Sequence, residues 1–172
     1  MALKKTLTIA GSDTSAGAGM QADLKTFQEL QTYGIVALTS IVTMDKATWS
    51  HDVTPIPFDV FEKQLETAIS IGPDAVKTGM LGTEEIIKRA GEAYVQSGAD
   101  YFVVDPVMVC KGEDEVLNPG NTDAMIEYLL PKATVVTPNL FEAGQLSQLG
   151  KLTSIADMKK AAQIIQIGRA HV

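Results

Sequence analysis

The sequence is short of what several protein classes need. It has one cysteine, Cys110, among 172 residues, so no internal disulfide can form. A disulfide-stapled secreted scaffold is excluded, and a reducing, cytoplasmic compartment is the natural expectation. Positive charge is scarce: 14 Lys and Arg against 21 Asp and Glu leave a formal net charge of −7. A chain of that sign is expected to bind neither nucleic acid nor an anionic membrane surface. No apolar run reaches transmembrane length. The opening MALKKTLTIAG has two lysines and a brief apolar run, too short for a signal peptide. No Gly-Lys-Ser or Gly-Lys-Thr occurs, which removes the Walker A phosphate loop. Internal repeats and low-complexity segments are lacking as well.

What is there reads as one soluble globular domain, 45% hydrophobic and 20% charged, long enough to bury a substantial core. Short β-branched runs alternate with amphipathic stretches. Strands are expected at Thr6–Ala10, Gly34–Thr43, Ala75–Thr78, Tyr101–Asp105 and Ala133–Val136. Helices are expected at Met20–Gln31, Phe58–Ile71, from Thr83 as cap through Tyr94, at Asn121–Leu130, Leu140–Leu149 and Ser154–Ile165. Trp49–Pro57, broken by prolines, is expected to be a loop or a short edge strand. Strand, helix, strand in succession implies an α/β fold with a mostly parallel sheet and helices on both faces. Right-handed crossovers then place all parallel-strand C-terminal ends on one edge, where ligands bind in such sheets.

Polar and small residues gather at those ends: Gly11, Ser12 and Asp13; Met44 and Asp45; Gly79 and Met80; Asp105 and Pro106; Pro138 and Asn139. The richest is the stretch from Gly11 to Lys25, GSDTSAGAGMQADLK. Glycines permit close backbone approach, and a helix N-terminus offers free N–H groups. The alternative is a well-capped strand-to-helix link. Gly17-Ala-Gly19-Met-Gln-Ala22 fits the dinucleotide pattern G-x-G-x-x-A, but the fit fails in context. Gly11–Ala16 intervene after the strand, and Asp23, placed in the first helical turn, would meet a pyrophosphate with like charge. A carboxylate there suits neutral donors better.

Two further constellations carry chemistry. In VVDPVMVCKG, Val103–Gly112, Asp105 ends a strand, and Val107–Asn118 reads as a long connection suited to a mobile cover. In TPNLFE, Thr137–Glu142, Asn139 and Glu142 open a helix three apart on one face. A carboxylate near phosphates commonly works through hydrated Mg²⁺, while a first-turn acid also simply favours the helix dipole.

Taken together, AGSDTSAGAGMQADLKTF, KTGML, DPVMVCKG and TPNLFEA, in that order, resemble the ribokinase-like vitamin kinases, the bacterial pyridoxal and hydroxymethylpyrimidine kinases. The likeness runs from Leu3 to about Ile165 and is strongest to the Gram-positive pyridoxal kinases. It implies a three-layer ribokinase-like fold, incomplete at the C-terminus. It also implies ATP-dependent phosphorylation of a hydroxymethyl group on a heteroaromatic ring: pyridoxal in vitamin B6 salvage, or hydroxymethylpyrimidine in thiamine biosynthesis.

By the resemblance, Gly11, Asp23, Met44, Met80 and Val107 line the ring site, with Asp23 accepting from a ring substituent. His51 either reaches the ring or is an exposed loop histidine. Asn139 and Glu142 serve the nucleotide phosphates and Mg²⁺, with Asp105 as a second metal neighbour. Lys111 approaches the transferred phosphate or stays solvated. Cys110 adds reversibly to the aldehyde of pyridoxal or is a small apolar filler. The pyrimidine kinases usually carry glutamine at the position of Met44, which tilts the expectation towards pyridoxal. The resemblance also implies a homodimer, with the segment from Gly34 to Thr54 near the contact.

The last residues, Ile167–Val172, read IGRAHV, which one frame of a common short-read sequencing adaptor encodes. The expectation is therefore that 1–166 is the N-terminal part of a single ribokinase-like domain and 167–172 is an adaptor-derived tail. His171 then belongs to the tail. The family's glycine-rich anion-hole turn and catalytic residue are expected further on, so the 172-residue chain is expected to be inactive alone. Three rivals stand beside this reading: a binding module without catalysis, a nicotinamide oxidoreductase using Gly17 and Gly19, and a sugar kinase of the same fold.

Overall fold

The alternation of Leu7, Thr8, Ile9 and Ala10 in the first strand sends side chains to opposite faces, and all four are buried. A strand buried on both faces sits inside a sheet, and the fold is built around it. The computed structural model describes residues 3–108 and 119–166. In chain order the elements are β1 (Lys5–Asp13), α1 (Gly19–Glu29), β2 (Tyr33–Met44), β3 (His51–Pro55), α2 (Phe58–Ser70), β4 (Ala75–Thr78) and α3 (Glu84–Ser97). They are followed by β5 (Tyr101–Val104), α4 (Pro119–Ala124), β6 (Val135–Val136), α5 (Leu140–Leu146) and α6 (Ile155–Gln166). The sheet order is β3-β2-β1-β4-β5-β6. Every pairing is parallel except the β2–β3 hairpin. The segment expected to be a loop or edge strand is thus an antiparallel edge strand. Among the described residues no helix is long and apolar enough to cross a membrane.

One face carries the main core. Leu7, Ile9, Ile35, Val76, Phe102 and Val104 pack there with Phe61 and Leu65 of α2 and Ile87 of α3. Tyr94 of α3 stacks on Phe102, ring centroids 4.5 Å apart. Thr83 caps α3 by accepting from the Ile86 N–H, and Gly98 ends it at φ 66°. The other face, on which Thr8 projects, is covered over β1 and β2 by α1. There Leu24 and Phe27 lie directly over Gly34, and a Cβ at that position would displace the end of the Leu24 side chain. Helices therefore flank the sheet on both sides, as the alternation predicts.

Two elements differ from expectation. β1 runs on through Gly11 to Asp13, so the first part of the glycine stretch is strand, not loop. The helix expected over Asn121–Leu130 is α only to Ala124. It widens to a π turn over Met125–Leu129 and tightens to a 3₁₀ turn at Leu130–Lys132. Pro131 has no N–H to donate and would clash with the carbonyl four residues back, so a regular helix cannot continue. Gly91 of α3 packs on this segment, where a Cβ would lie 2.6 Å from the Tyr128 carbonyl oxygen.

Candidate active site at the strand tips

The glycine stretch is organised by Asp13. Its carboxylate accepts from the Ser15 N–H (2.8 Å), the Ser15 hydroxyl (2.8 Å) and the Ala18 N–H (2.8 Å). Burial pushes this carboxyl up, but the hydrogen bonds from Ser15, Ala18 and Gly17 outweigh it and hold it below the usual range. The donors that a phosphate loop would offer are thus turned onto the chain's own carboxylate, which agrees with rejecting a dinucleotide site. Gln21 completes the turn, accepting from the Asp13 N–H (3.0 Å) and donating to Ser12 Oγ (2.6 Å). Gly19, at φ +60°, sits where a Cβ would be 2.5 Å from the Gly11 carbonyl oxygen. Helix α1 is therefore docked directly on the tip of β1.

At that tip Gly11, Ser40 and Met80 meet. A Cβ on Gly11 would lie 2.7 Å from Ser40 Oγ and 3.1 Å from Met80 Cε. Thr39 of β2 donates to the Met80 carbonyl at 2.6 Å and so fixes the turn after β4. Met44 and His51, both half-buried, face each other across the β2–β3 hairpin. Asp45 holds its turn by accepting from the Ala47 and Thr48 N–H groups at 2.9 and 2.8 Å.

Asp23 differs from its expected position. It is the fifth residue of α1, in the second turn and not the first. Its carboxylate, with the side chain 13% exposed, accepts from the buried Thr8 hydroxyl at 2.6 Å and pairs with Lys77 Nζ at 3.1 Å. Lys77 also lies 3.6 Å from Asp105 Oδ2. Thr8 and Lys77 pair in the β1–β4 register and share a face, and Val103, paired with Lys77, sets the face that Asp105 continues. One ammonium thus links helix α1 to the tip of β5. Partial burial pushes the Asp105 carboxyl up, Lys77 opposes this and Asp23 adds to it. Val107, half-buried, donates its N–H to the Asp105 carbonyl at 2.9 Å.

On the next tip Asn139 and Glu142 form a capping box. Asn139 Oδ1 accepts from the Glu142 N–H at 2.9 Å, and Glu142 Oε2 accepts from the Asn139 N–H at 2.8 Å. Glu142 is buried, which pushes its carboxyl up. The Asn139 and Met108 N–H groups pull it down and the Asp105 charge raises it further. Two oxygen ligands near one another suit a hydrated Mg²⁺, which takes one or two carboxylates and fills its shell with water and phosphate. Among the described residues no group of three or more His, Cys, Asp or Glu could form an all-protein cage. Cys110 and Lys111 lie outside the described residues, as does the tail 167–172. An open groove of about 400 Å³ between β2 and α2, lined by Ile35, Val60 and Ile71, lies away from these tips and lacks converging charged groups.

Sequence reasoning missed Lys77, Ser40 and Thr39. Lys77 had a signal: a lone cation in a buried parallel strand needs a counter-charge on its own face.

The family model described as phosphomethylpyrimidine kinase matches residues 13–172. A putative pyridoxine kinase of Staphylococcus epidermidis is 86% identical over 173 residues, covering 100% of this chain and 63% of the relative. The solved pyridoxal kinase of Staphylococcus aureus in complex with pyridoxal superposes with a TM-score of 0.95 at 83% identity, covering 99% of this chain and 63% of that one. The same enzyme with AMP-PCP gives 0.94 at 84% identity, covering 99% and 61%. The chain therefore spans a little under two thirds of the relatives it matches.

Proposed function

The chain belongs to the phosphomethylpyrimidine kinase family, and from that premise we propose that it forms the ring-binding and phosphate-facing part of an ATP-dependent pyridoxal kinase. The observation that carries the reading is the division of one sheet edge into two unlike halves. Gly11, Met80 and the Met44–His51 pair make an apolar, close-packed half suited to a flat ring. Asp105, Glu142 and Asn139 make an acidic half suited to a metal-bound phosphate chain.

In the reaction the ring's hydroxymethyl oxygen bonds to the γ-phosphorus as its proton passes to solvent, the bond to the β–γ bridging oxygen breaks, and ADP leaves. Mg²⁺, when bound, would neutralise phosphate charge. Glu142 and Asp105 would hold it, and Asn139 would orient Glu142 beside the phosphates. Gly11, Met44, Met80 and Val107 wall the ring, and His51 reaches its edge. Asp23 is already engaged by Thr8 and Lys77, so we assign it the positioning of Lys77 before any direct ring contact. Outside the described residues, Lys111 would approach the transferred phosphate. The Cys110 thiol would add to the aldehyde carbon, its proton passing to the oxygen.

The pyrimidine reading is favoured by the family model's description. Against it, the Met44 thioether leaves a pyrimidine amino group unpaired, which costs about 1–3 kcal/mol. More than a third of the relative's length lies outside the match, so we expect ring binding without turnover from the 172-residue polypeptide. Exposed Ile41 and Trp49 support self-association through the segment from Gly34 to Thr54, which sedimentation would test. Calorimetric titration of the chain with pyridoxal and with 4-amino-5-hydroxymethyl-2-methylpyrimidine tests the main reading. Tighter pyridoxal binding is expected. Preference for the pyrimidine overturns the substrate assignment, binding of neither overturns the ring site, and ATP-dependent product from the chain alone overturns the expected inactivity.

A further inference from the structure

The alternation of β2 fails at one point. Ile35 and Ala37 are buried and Val36 and Leu38 half-buried, as a strand requires, but Thr39 and Ser40 are buried consecutively. The cause is a bulge: Ala10 pairs with Leu38 and Ser12 with Ile41, so two residues of β2 oppose Gly11 alone. Bulges re-aim side chains and gather next to active sites. Here the bulge turns two hydroxyls inward together. Thr39 is satisfied by the Met80 carbonyl. Ser40 is not: its residue is 4% exposed, and its hydroxyl has no hydrogen-bond partner among the described residues. Leaving such a group unpaired is costly, and native structures seldom do so without a reason.

The surroundings supply the reason. Ser40 Oγ lies where the missing side chain of Gly11 leaves room, and the far end of Met80 closes the same spot. Methionine is flexible, and its thioether moves aside at little cost. We propose that Ser40 is a specificity-determining residue whose hydroxyl donates to a lone-pair-bearing edge atom of the flat heteroaromatic ligand once Met80 swings off Gly11. This deepens the ring-site reading and rests on it. An apolar ring of the same shape would leave the hydroxyl orphaned, and the site would discriminate against it.

The test measures pyridoxal affinity by calorimetry and stability by urea unfolding for the wild-type chain, Ser40→Ala and Ser40→Cys. An orphan hydroxyl contributes nothing to the free chain, so Ser40→Ala should unfold at the same or a higher urea concentration. Its pyridoxal affinity should fall about tenfold, the scale of one hydrogen bond with its ligand partner left unpaired. Ser40→Cys, of similar size but a weak donor, should fall between. Unchanged affinity in Ser40→Ala overturns the proposal and leaves the ring site standing. A less stable Ser40→Ala overturns it too, because the hydroxyl would then serve the free fold. Absence of pyridoxal binding by the wild-type chain overturns both the ring site and this role.

Discussion

Gly17 and Gly19 sit two apart at the entry to α1, yet substituting them should have opposite consequences. At Gly19 the backbone is at φ +60°, a region that costs an L side chain about 1–2 kcal/mol. A Cβ there would also lie 2.5 Å from the Gly11 carbonyl oxygen and 3.1 Å from the Asp13 nitrogen. Both obstacles are backbone in a sheet, so they yield only by moving α1 off β1, an overpacking cost of about 1–3 kcal/mol. Gly19→Ala should therefore destabilise by about 2–5 kcal/mol. With a urea slope of about 2 kcal/mol/M, the unfolding midpoint drops by about 1–2.5 M. At Gly17 a Cβ would meet Ser15 Oγ at 3.5 Å and Asp13 Oδ2 at 3.9 Å, both ordinary contacts. Gly17→Ala should be neutral, or stabilise by about 0.4–1 kcal/mol through the unfolded chain. The assay is urea unfolding by circular dichroism on the two variants and wild type. Equal midpoints for the two variants would refute the docking of α1 on the strand tip, and with it the placement of Asp23 against Lys77.

The remaining outcomes concern charge and capping. Lys77→Met leaves Asp23 and Asp105 facing each other without a cation; the groups are partly exposed, so the loss should be about 1–3 kcal/mol by urea unfolding, with Lys77→Arg losing less. Asp13 is held below its usual range in the folded chain, so its contribution is full above the unfolded value of about 3.9 and disappears as pH falls through the folded value. Asp13→Asn should accordingly be less stable at pH 7, with the gap to wild type closing as a urea series is taken down below about pH 4. Asn139→Ala removes one arm of the capping box and should lower stability by about 1 kcal/mol, read by the same method.

Much of the fold was legible because its signals are local and periodic. Leu7 and Ile9 announce a core strand, Thr83 a helix start, and the order of strands and helices a parallel sheet. What escaped depends on neighbours distant in sequence. The extension of β1 to Asp13 follows from pairing with Ile41 and Val42, which no window around Gly11 contains. The break after Ala124 needed both Pro131 and the close approach of Gly91, one local and one not. A helix starting at Met20 puts Asp23 in its first turn with a free carboxylate; in the structure α1 starts at Gly19, and the carboxylate is taken up by Thr8 and Lys77 from strands distant in sequence.

That last difference changes how the site is held together. A carboxylate open to a ring would act on its ligand alone, so its loss would be felt in binding and nowhere else. A carboxylate tied to Thr8 and Lys77, with Lys77 reaching Asp105, joins the helix behind the ring half to the strand tip of the acidic half. Displacing α1 then disturbs Asp105, whose charge bears in turn on Glu142. The two halves of the edge are separate in chemistry but share one half-buried cation. Substitutions at Gly19 and Lys77 should therefore be non-additive, because the first already withdraws the partner that the second removes. A double variant that loses the full sum of the two single effects would mean that the halves are held independently.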